Sequence, residues 1–297
     1  TATAKDINIS QSAETITGQL SGIYTENQST TGGSTSIQTA GSVTGVTESG
    51  ISAKNNSTNT QDIIIVQDGG NISGKKHGIV SESYGKGSTI IQTSGDINGS
   101  TARGIFVMHQ DPGTKDINIT QTAGKITGAV GGIYTQNVGS GFTKITTAGD
   151  VIGNSEYGIF ARTYSPSQKD IIVTQESGTI FGGKMGVYAW NRGSGSTTIT
   201  TAGSVTGNSE NGIYAENTTD AKDINITQTS GSIAGSYNGI STLNQGIGGS
   251  TTITTNGNVT GTNKEGIYAL NEATAQSISI IQTDGNITGK LHGINAE

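Results

Sequence analysis

The chain has 297 residues, a net charge of −6 and no cysteine, which excludes a disulfide-stapled module and a thiolate zinc site. The acidic balance leaves no basic patch to neutralise phosphates, so nucleic acid is excluded as a partner. Hydrophobic residues make up only 30% and glycine takes 47 positions, which is too few apolar side chains for an ordinary globular core.

A degenerate repeat runs through the whole chain. The pattern Gly-x-Ile/Val-x-Gly, then three or four residues, then Gly-Ile/Val, occurs eleven times, as in GKITGAVGGIY (124–134) and GDVIGNSEYGIF (149–160). Only the first copy lacks the leading glycine, which Glu14 replaces. Successive copies are 25 to 29 residues apart, and because spacers of three and four residues alternate, the larger period is about 54 residues. Such a fixed period predicts a solenoid.

Each copy contains three short segments with strand periodicity, taken here in chain order. The first segment carries Ile or Val at 9, 37, 65, 91, 119, 145, 173, 199, 226, 253 and 280. The second carries it at 16, 43, 72, 97, 126, 151, 180, 205, 233, 259 and 287. The third carries it at 23, 51, 79, 105, 133, 159, 187, 213, 240, 267 and 294. Alternation with period two within each segment indicates strands, and the intervening glycines supply tight turns.

Three uninterrupted apolar columns predict an all-β fold, a parallel β-helix in the form of a three-sided solenoid. It should have about eleven rungs of 25–29 residues and a 54-residue two-rung super-repeat. We expect a right-handed coil, because the hexapeptide pattern typical of left-handed β-helices is absent. Inward Ile and Val side chains would stack at the strand spacing of roughly 4.8 Å, with Ser, Thr, Asn and Gln outside.

The polar residues argue against catalysis. Asp6, Asp62, Asp116, Asp170 and Asp223 fill one slot on every second rung, roughly 10 Å apart, and a lysine precedes four of them. That spacing is too wide for a shared metal ion and suggests a solvated charge ladder. His77 and His292 occupy a loop slot before the final glycine, and His109 is placed in another loop. The sequence therefore predicts no catalytic residue, no metal site and no cofactor.

An asparagine recurs five residues after the final glycine of most copies. Asn tolerates turn conformations, and stacked amides can hydrogen-bond along a ladder. We therefore predict a structural asparagine ladder at one corner of the coil, formed by Asn27, Asn55, Asn137, Asn191, Asn217, Asn244 and Asn271.

The third strand offers a candidate binding surface. The residue after its inward Ile should point outward, and this slot is rich in Tyr and Phe, while a second outward slot two residues later adds apolar side chains. A strip of this kind commonly anchors partners, although stacked rings can also simply stabilise a sheet surface. The candidate partner-binding strip is Tyr24, Phe106, Tyr134, Phe160, Tyr188, Trp190, Tyr214, Tyr268 and Leu270.

Repeats of the form GxITG…GIYxxN in a Gly-, Ser-, Thr- and Asn-rich chain without Cys resemble the passenger domains of bacterial autotransporters, which are pertactin-like right-handed β-helices. The resemblance implies that residues 1–297 form a single passenger fragment, secreted or displayed at the cell surface after export through the outer membrane. A translocator barrel of the same precursor is expected but is absent from this chain.

The resemblance also implies a virulence role, in which the side of the rod binds a host cell-surface protein or glycan as an adhesin. Two alternatives stay open at this point. One is a soluble ligand that engages and clusters a host receptor to trigger signalling, since a repeated rod could act multivalently. The other is a polysaccharide lyase or hydrolase, because some right-handed β-helices are such enzymes.

Overall fold

The computed structural model describes residues 5–164, 169–272 and 274–297. These residues form 33 β-strands and no helix, and accordingly no helix in this part of the chain is long and apolar enough to cross a membrane. The strands are arranged in three sheets of eleven, and each rung of the coil contributes one strand to each sheet.

The first sheet consists of β1 (Ile7–Gln11), β4 (Thr35–Thr39), β7 (Ile63–Gln67), β10 (Thr89–Thr93), β13 (Ile117–Gln121), β16 (Thr143–Thr147), β19 (Ile171–Gln175), β22 (Thr197–Thr201), β25 (Ile224–Gln228), β28 (Thr251–Asn256) and β31 (Ile278–Asp284). The second sheet consists of β2 (Thr15–Gly18), β5 (Ser42–Gly45), β8 (Ile72–Gly74), β11 (Ile97–Gly99), β14 (Lys125–Gly128), β17 (Asp150–Gly153), β20 (Thr179–Gly182), β23 (Ser204–Gly207), β26 (Ser232–Gly235), β29 (Asn258–Gly261) and β32 (Ile287–Gly289). The third sheet consists of β3 (Ile23–Asn27), β6 (Ile51–Asn55), β9 (Ile79–Ser83), β12 (Arg103–His109), β15 (Gly131–Asn137), β18 (Tyr157–Thr163), β21 (Met185–Asn191), β24 (Ile213–Asn217), β27 (Ile240–Asn244), β30 (Ile267–Asn271) and β33 (Ile294–Ala296).

Every strand pairs in parallel with the strand one rung away, and the pairing aligns the apolar columns. In the first sheet Ile9 is opposite Ile37, and in the third sheet Val187 is opposite Ile213. The predicted all-β solenoid of about eleven rungs is thereby confirmed, and the coil has the right-handed sense that parallel crossovers favour.

The core is a stack of Ile and Val side chains along the axis of the rod. Their exposed fraction is 0–1% from Ile37 to Ile267, because each is covered by its neighbours above and below as well as by the other two sheets. At the two ends of the chain, Ile9, Ile16, Ile280 and Ile287 are only partly buried. A few inward residues per rung therefore suffice for a continuous core, as expected of a solenoid.

Buried polar columns explain why the period is two rungs rather than one. The last inward position of the first-sheet strands alternates between Gln and Thr, for example Gln67, Thr93 and Gln121. The Nε2 of Gln121 donates to the carbonyl oxygen of Gly124 at 2.8 Å, and the other buried glutamines in this column make the same bond at their own corners. Odd rungs thus close their corner with an amide, whereas even rungs use the smaller Thr.

The aspartates of the two-rung slot bind the backbone of the next rung. The Oδ1 of Asp116 accepts a hydrogen bond from the backbone N–H of Phe142 at 3.0 Å, and each of the other four aspartates accepts one from the equivalent residue of its own next rung. These aspartates are exposed or partly buried, as a solvated charge ladder requires. Their carboxylates also link successive rungs, which the repeat alone does not reveal.

Candidate functional site

The outer face of the third sheet carries the aromatic strip that the sequence predicts. Register places Phe106, Tyr134, Phe160, Tyr188 and Tyr214 on five successive rungs. Their neighbouring ring centroids are 5.2, 5.1, 4.9 and 5.1 Å apart, within the range of favourable aromatic pairs. These five side chains therefore form one continuous stack.

The remaining strip residues are less closely connected. Tyr24 lies three rungs from Phe106 and is 55% exposed, and Ser241 separates Tyr268 from Tyr214. Trp190 is stacked beside Tyr188 with centroids 6.4 Å apart, whereas Leu270 is opposite Leu243 on the preceding rung. The strip is thus a central stack with two outlying tyrosines.

The rings point outward but cover one another. Phe160, which is between Tyr134 and Tyr188 and also stacks on Tyr157 at 5.0 Å, is only 6% exposed. The other members of the stack are half-buried. A partner would therefore meet ring edges and the groups around the rings more than open ring faces.

All three arginines of the chain lie on or beside this stack. Their guanidinium carbons are above aromatic rings, Arg103 at 4.4 Å from the centroid of Tyr134, Arg162 at 4.4 Å from Tyr164, and Arg192 at 5.3 Å from Trp190. These are cation–π distances. Within residues 5–164, 169–272 and 274–297, no carboxylate is close enough to any of the three to form an ion pair.

We call this surface the arginine–aromatic patch: Arg103, Phe106, Tyr134, Tyr157, Phe160, Arg162, Tyr164, Tyr188, Trp190, Arg192 and Tyr214. The strip predicted from the sequence lacks the three arginines, Tyr157 and Tyr164. A signal was present, because Arg162 and Arg192 follow the inward Ile or Val of their strands by three and five residues, which are outward positions. Arg103 and Tyr157 precede it by two and are partly exposed. Simple alternation counted back from the inward residue would have placed them inward.

Four tyrosines of the patch, Tyr134, Tyr157, Tyr188 and Tyr214, stay protonated at neutral pH. Burial raises the pKa of Tyr134, Tyr157, Tyr188 and Tyr214 above the ordinary value, and the charge of Glu216 raises it further for the last two. The hydroxyl groups of Tyr188 and Tyr214 donate to Oε2 of Glu216 at 3.4 and 3.2 Å. The patch is therefore cationic at its arginines, with Glu216 at one margin and Glu156 and Glu210 near Tyr157.

A groove adjoins the patch on rungs one to four. The outward column that holds rings elsewhere holds Ser52 and Val80 on the second and third rungs, between Tyr24 and Phe106. The missing rings leave a cavity of about 500 Å³, which is flanked by the ion pairs Lys54–Glu82 and Lys76–Glu48, each with an N–O distance of 2.7 Å.

The predicted asparagines line the corner at which the third sheet ends. Asn27, Asn55, Asn137, Asn191, Asn217 and Asn244 are buried, and Asn271 on the tenth rung is partly buried. Their amide nitrogens donate mainly to backbone carbonyls of the corner, as Asn217 does to Lys222 and Asp223 at 3.0 Å. In the described part of the chain, these amides form hydrogen bonds with the backbone of the corner and with neighbouring hydroxyl groups, not with one another along the stack.

His109 belongs to this corner column, and its predicted position in a loop was wrong. It ends strand β12, is fully buried, and its Nε2 is 2.9 Å from Oγ1 of Thr89. His77 is on the third-sheet face, where its ring stacks on Phe106 at 5.2 Å, and His292 lies 3.5 Å from Glu265. Among the residues that the structure describes, no three His, Asp or Glu side chains are grouped as metal ligands would be.

No protein-family model, curated protein or solved structure matches the chain. The fold and the surface geometry are therefore the basis for any functional conclusion.

Proposed function

We propose that this protein is a secreted or surface-displayed bacterial adhesin of the autotransporter passenger type, which binds an acidic component of the host cell surface through the arginine–aromatic patch. The observation that carries the proposal is the grouping of the three arginines. A chain with a net charge of −6 places its three guanidinium groups along one side of the rod, on rungs four, six and seven, each beside aromatic rings.

The patch departs from the repeat, and this departure supports a binding role. The buried columns are nearly uniform along the rod, as stacking requires. In contrast, the outward slot before the final glycine holds His77, Arg103, Gly131, Tyr157 and Met185 on successive rungs. Residues that break a structural rule without serving the core are expected at functional sites.

The chemistry of the patch favours an acidic partner. A guanidinium held against a ring keeps its planar N–H edge for carboxylate, sulfate or phosphate groups. Aromatic and Arg side chains are also the residues that most often dominate binding energy. Because the patch occurs once along the rod, it favours adhesion over the clustering of receptors by repeated faces.

We do not propose an enzymatic activity. The five aspartates that recur every two rungs each accept a backbone hydrogen bond from the next rung. A hydrolase or lyase of polysaccharides would need an acidic or basic group free to exchange a proton with the substrate. In the groove on rungs one to four, Glu82 and Glu48 are instead ion-paired with Lys54 and Lys76.

The proposal predicts that charge removal at the patch weakens cell binding. Labelled protein should bind cultured mammalian epithelial cells saturably, and Arg103→Gln, Arg162→Gln and Arg192→Gln together should weaken binding about tenfold or more. Wild-type binding should also weaken as salt is raised, since exposed charges are screened. Flow cytometry over a concentration series measures both effects.

The matched control is Lys125→Gln, Lys144→Gln and Lys169→Gln, which removes the same charge from exposed positions outside the third sheet. This variant should bind as the wild type does. Equal loss in the two triple variants, or no saturable binding by the wild type, would contradict the proposal. Unchanged melting temperatures in both variants would show that the loss of binding does not come from a loss of fold stability.

A further inference from the structure

The groove on rungs one to four adjoins the patch, shares Phe106 with it and suits a different ligand. Ser52 and Val80 form its floor and are 6% and 7% exposed. Tyr24 closes one end, and Phe106, stacked with His77, closes the other, roughly 14 Å away at three rung spacings. The groove therefore has an apolar floor with an aromatic ring at each end.

The walls of the groove carry no net charge. On one side the Nζ of Lys54 is 2.7 Å from Glu82, and on the other the Nζ of Lys76 is 2.7 Å from Glu48. Burial lowers the pKa of His77 to about 4, so its ring is neutral at pH 7. Its Nδ1 accepts the backbone N–H of Arg103 at 3.3 Å, which fixes the ring at the end of the groove.

These features exclude two kinds of occupant. An anion would meet the carboxylates of Glu48 and Glu82 without a free cation to offset them. An apolar peptide side chain would strip water from four charged groups without replacing their hydrogen bonds, which is unfavourable. The cavity of about 500 Å³ is within the range of small-ligand sites.

We infer that this groove binds an uncharged oligosaccharide. A pyranose ring has an apolar face of C–H groups, which suits the Val80 floor and the rings of Tyr24 and Phe106, and an edge of hydroxyl groups. Hydroxyls both donate and accept, so they match walls that present ammonium donors and carboxylate acceptors side by side. The inference does not depend on the arginines of the patch, because none of the three lines the groove, although Phe106 belongs to both surfaces.

The repeat itself supplies a variant that closes the groove without disturbing the fold. Ser52 and Val80 are in the same outward column as Tyr24, Phe106 and Tyr134. Replacing Ser52→Tyr and Val80→Tyr should extend the ring stack across the gap and fill the cavity. The matched control is Ser241→Tyr. It also replaces serine with tyrosine in this column, but on the ninth rung, outside the groove.

The experiment presents maltotriose, chitotriose, N-acetyllactosamine and lacto-N-tetraose as neutral probes, with sialyllactose and a heparin tetrasaccharide as anionic probes. Saturation-transfer NMR and calorimetry should show saturable binding of at least one neutral probe by the wild type and by the Ser241→Tyr variant. The Ser52→Tyr, Val80→Tyr variant should bind it about tenfold or more weakly at an unchanged melting temperature.

Three outcomes would overturn the inference: no neutral probe binds, only anionic probes bind, or the filled variant keeps full affinity. The triple arginine variant separates the two sites, since it should lose cell binding and keep the oligosaccharide. Loss of cell binding alone therefore tests the patch, and loss of the saccharide alone tests the groove.

Discussion

Replacing Ile213 with Asn is expected to lower the free energy of unfolding by about 3–8 kcal/mol. Ile213 is fully buried in the third column, between Val187 and Ile240. Loss of a large core side chain costs about 2–5 kcal/mol, and an amide left without partners adds about 1–3 kcal/mol. Because rungs contact only their neighbours, thermal melting and limited proteolysis should show cleavage near residue 213 before the whole rod unfolds.

Tyr214→Ser is the control, one residue away on the outer face. This variant should lose the aromatic pair with Tyr188, whose ring centroid is 5.1 Å away. Such a pair is worth about 0.5–1.5 kcal/mol, and some buried ring surface is lost as well. Serine is compatible with the position, since Ser52 and Ser241 occupy the same column. If Tyr214→Ser were the more damaging change, the inward and outward faces of this strand would be reversed.

Mild acid is expected to destabilise the rod through His109. Burial lowers the pKa of this side chain to about 4, whereas the unfolded chain has the ordinary value of about 6.5. The folded state therefore keeps His109 neutral at pH values at which the unfolded state takes up a proton. Its contribution to stability is complete above pH 6.5 and is lost as the pH falls toward 4, a change of up to about 3 kcal/mol.

His109→Asn should remove this part of the acid sensitivity and leave the fold intact. Asparagine occupies the same corner column on other rungs, where Oγ1 of Thr35, Thr197 and Thr251 donates to its Oδ1, and Thr89 is placed to make the same bond after this replacement. Urea unfolding of both proteins at pH 7.0 and 4.5 measures the difference. An equal acid-induced loss in wild type and variant would show that His109 does not carry it.

The coil could be predicted from the sequence because its rules are local and repeated. Inward Ile and Val alternate with polar residues in each strand, so the column that contains Ile213 follows directly from the repeat. The alternation also placed Tyr188 and Tyr214 outward. It did not show how closely neighbouring rings approach, which is why the burial of Phe160 could not be anticipated.

The misplacement of His109 and the omission of the arginines have a common physical cause. His109 and the arginines each stand where one rung departs from the repeat, so their positions cannot be predicted by comparison with other rungs. His109 takes a position that asparagine fills elsewhere, and Arg162 approaches the ring of Tyr164 through a long side chain whose direction the strand pattern does not determine. The groove depends similarly on two small residues, Ser52 and Val80, whose effect appears only when their rungs are stacked.

The alternation of Gln and Thr along the first sheet bears on how such a gene can change length. Asp62, Asp116 and Asp170 are 54 residues apart, so unequal recombination between equivalent points adds or removes two rungs together. The new junction joins an odd rung to an even one, and every glutamine amide and aspartate keeps its corner partner. The rod can therefore gain or lose length in steps of roughly 10 Å, whereas a step of one rung would bring two glutamines or two threonines into register.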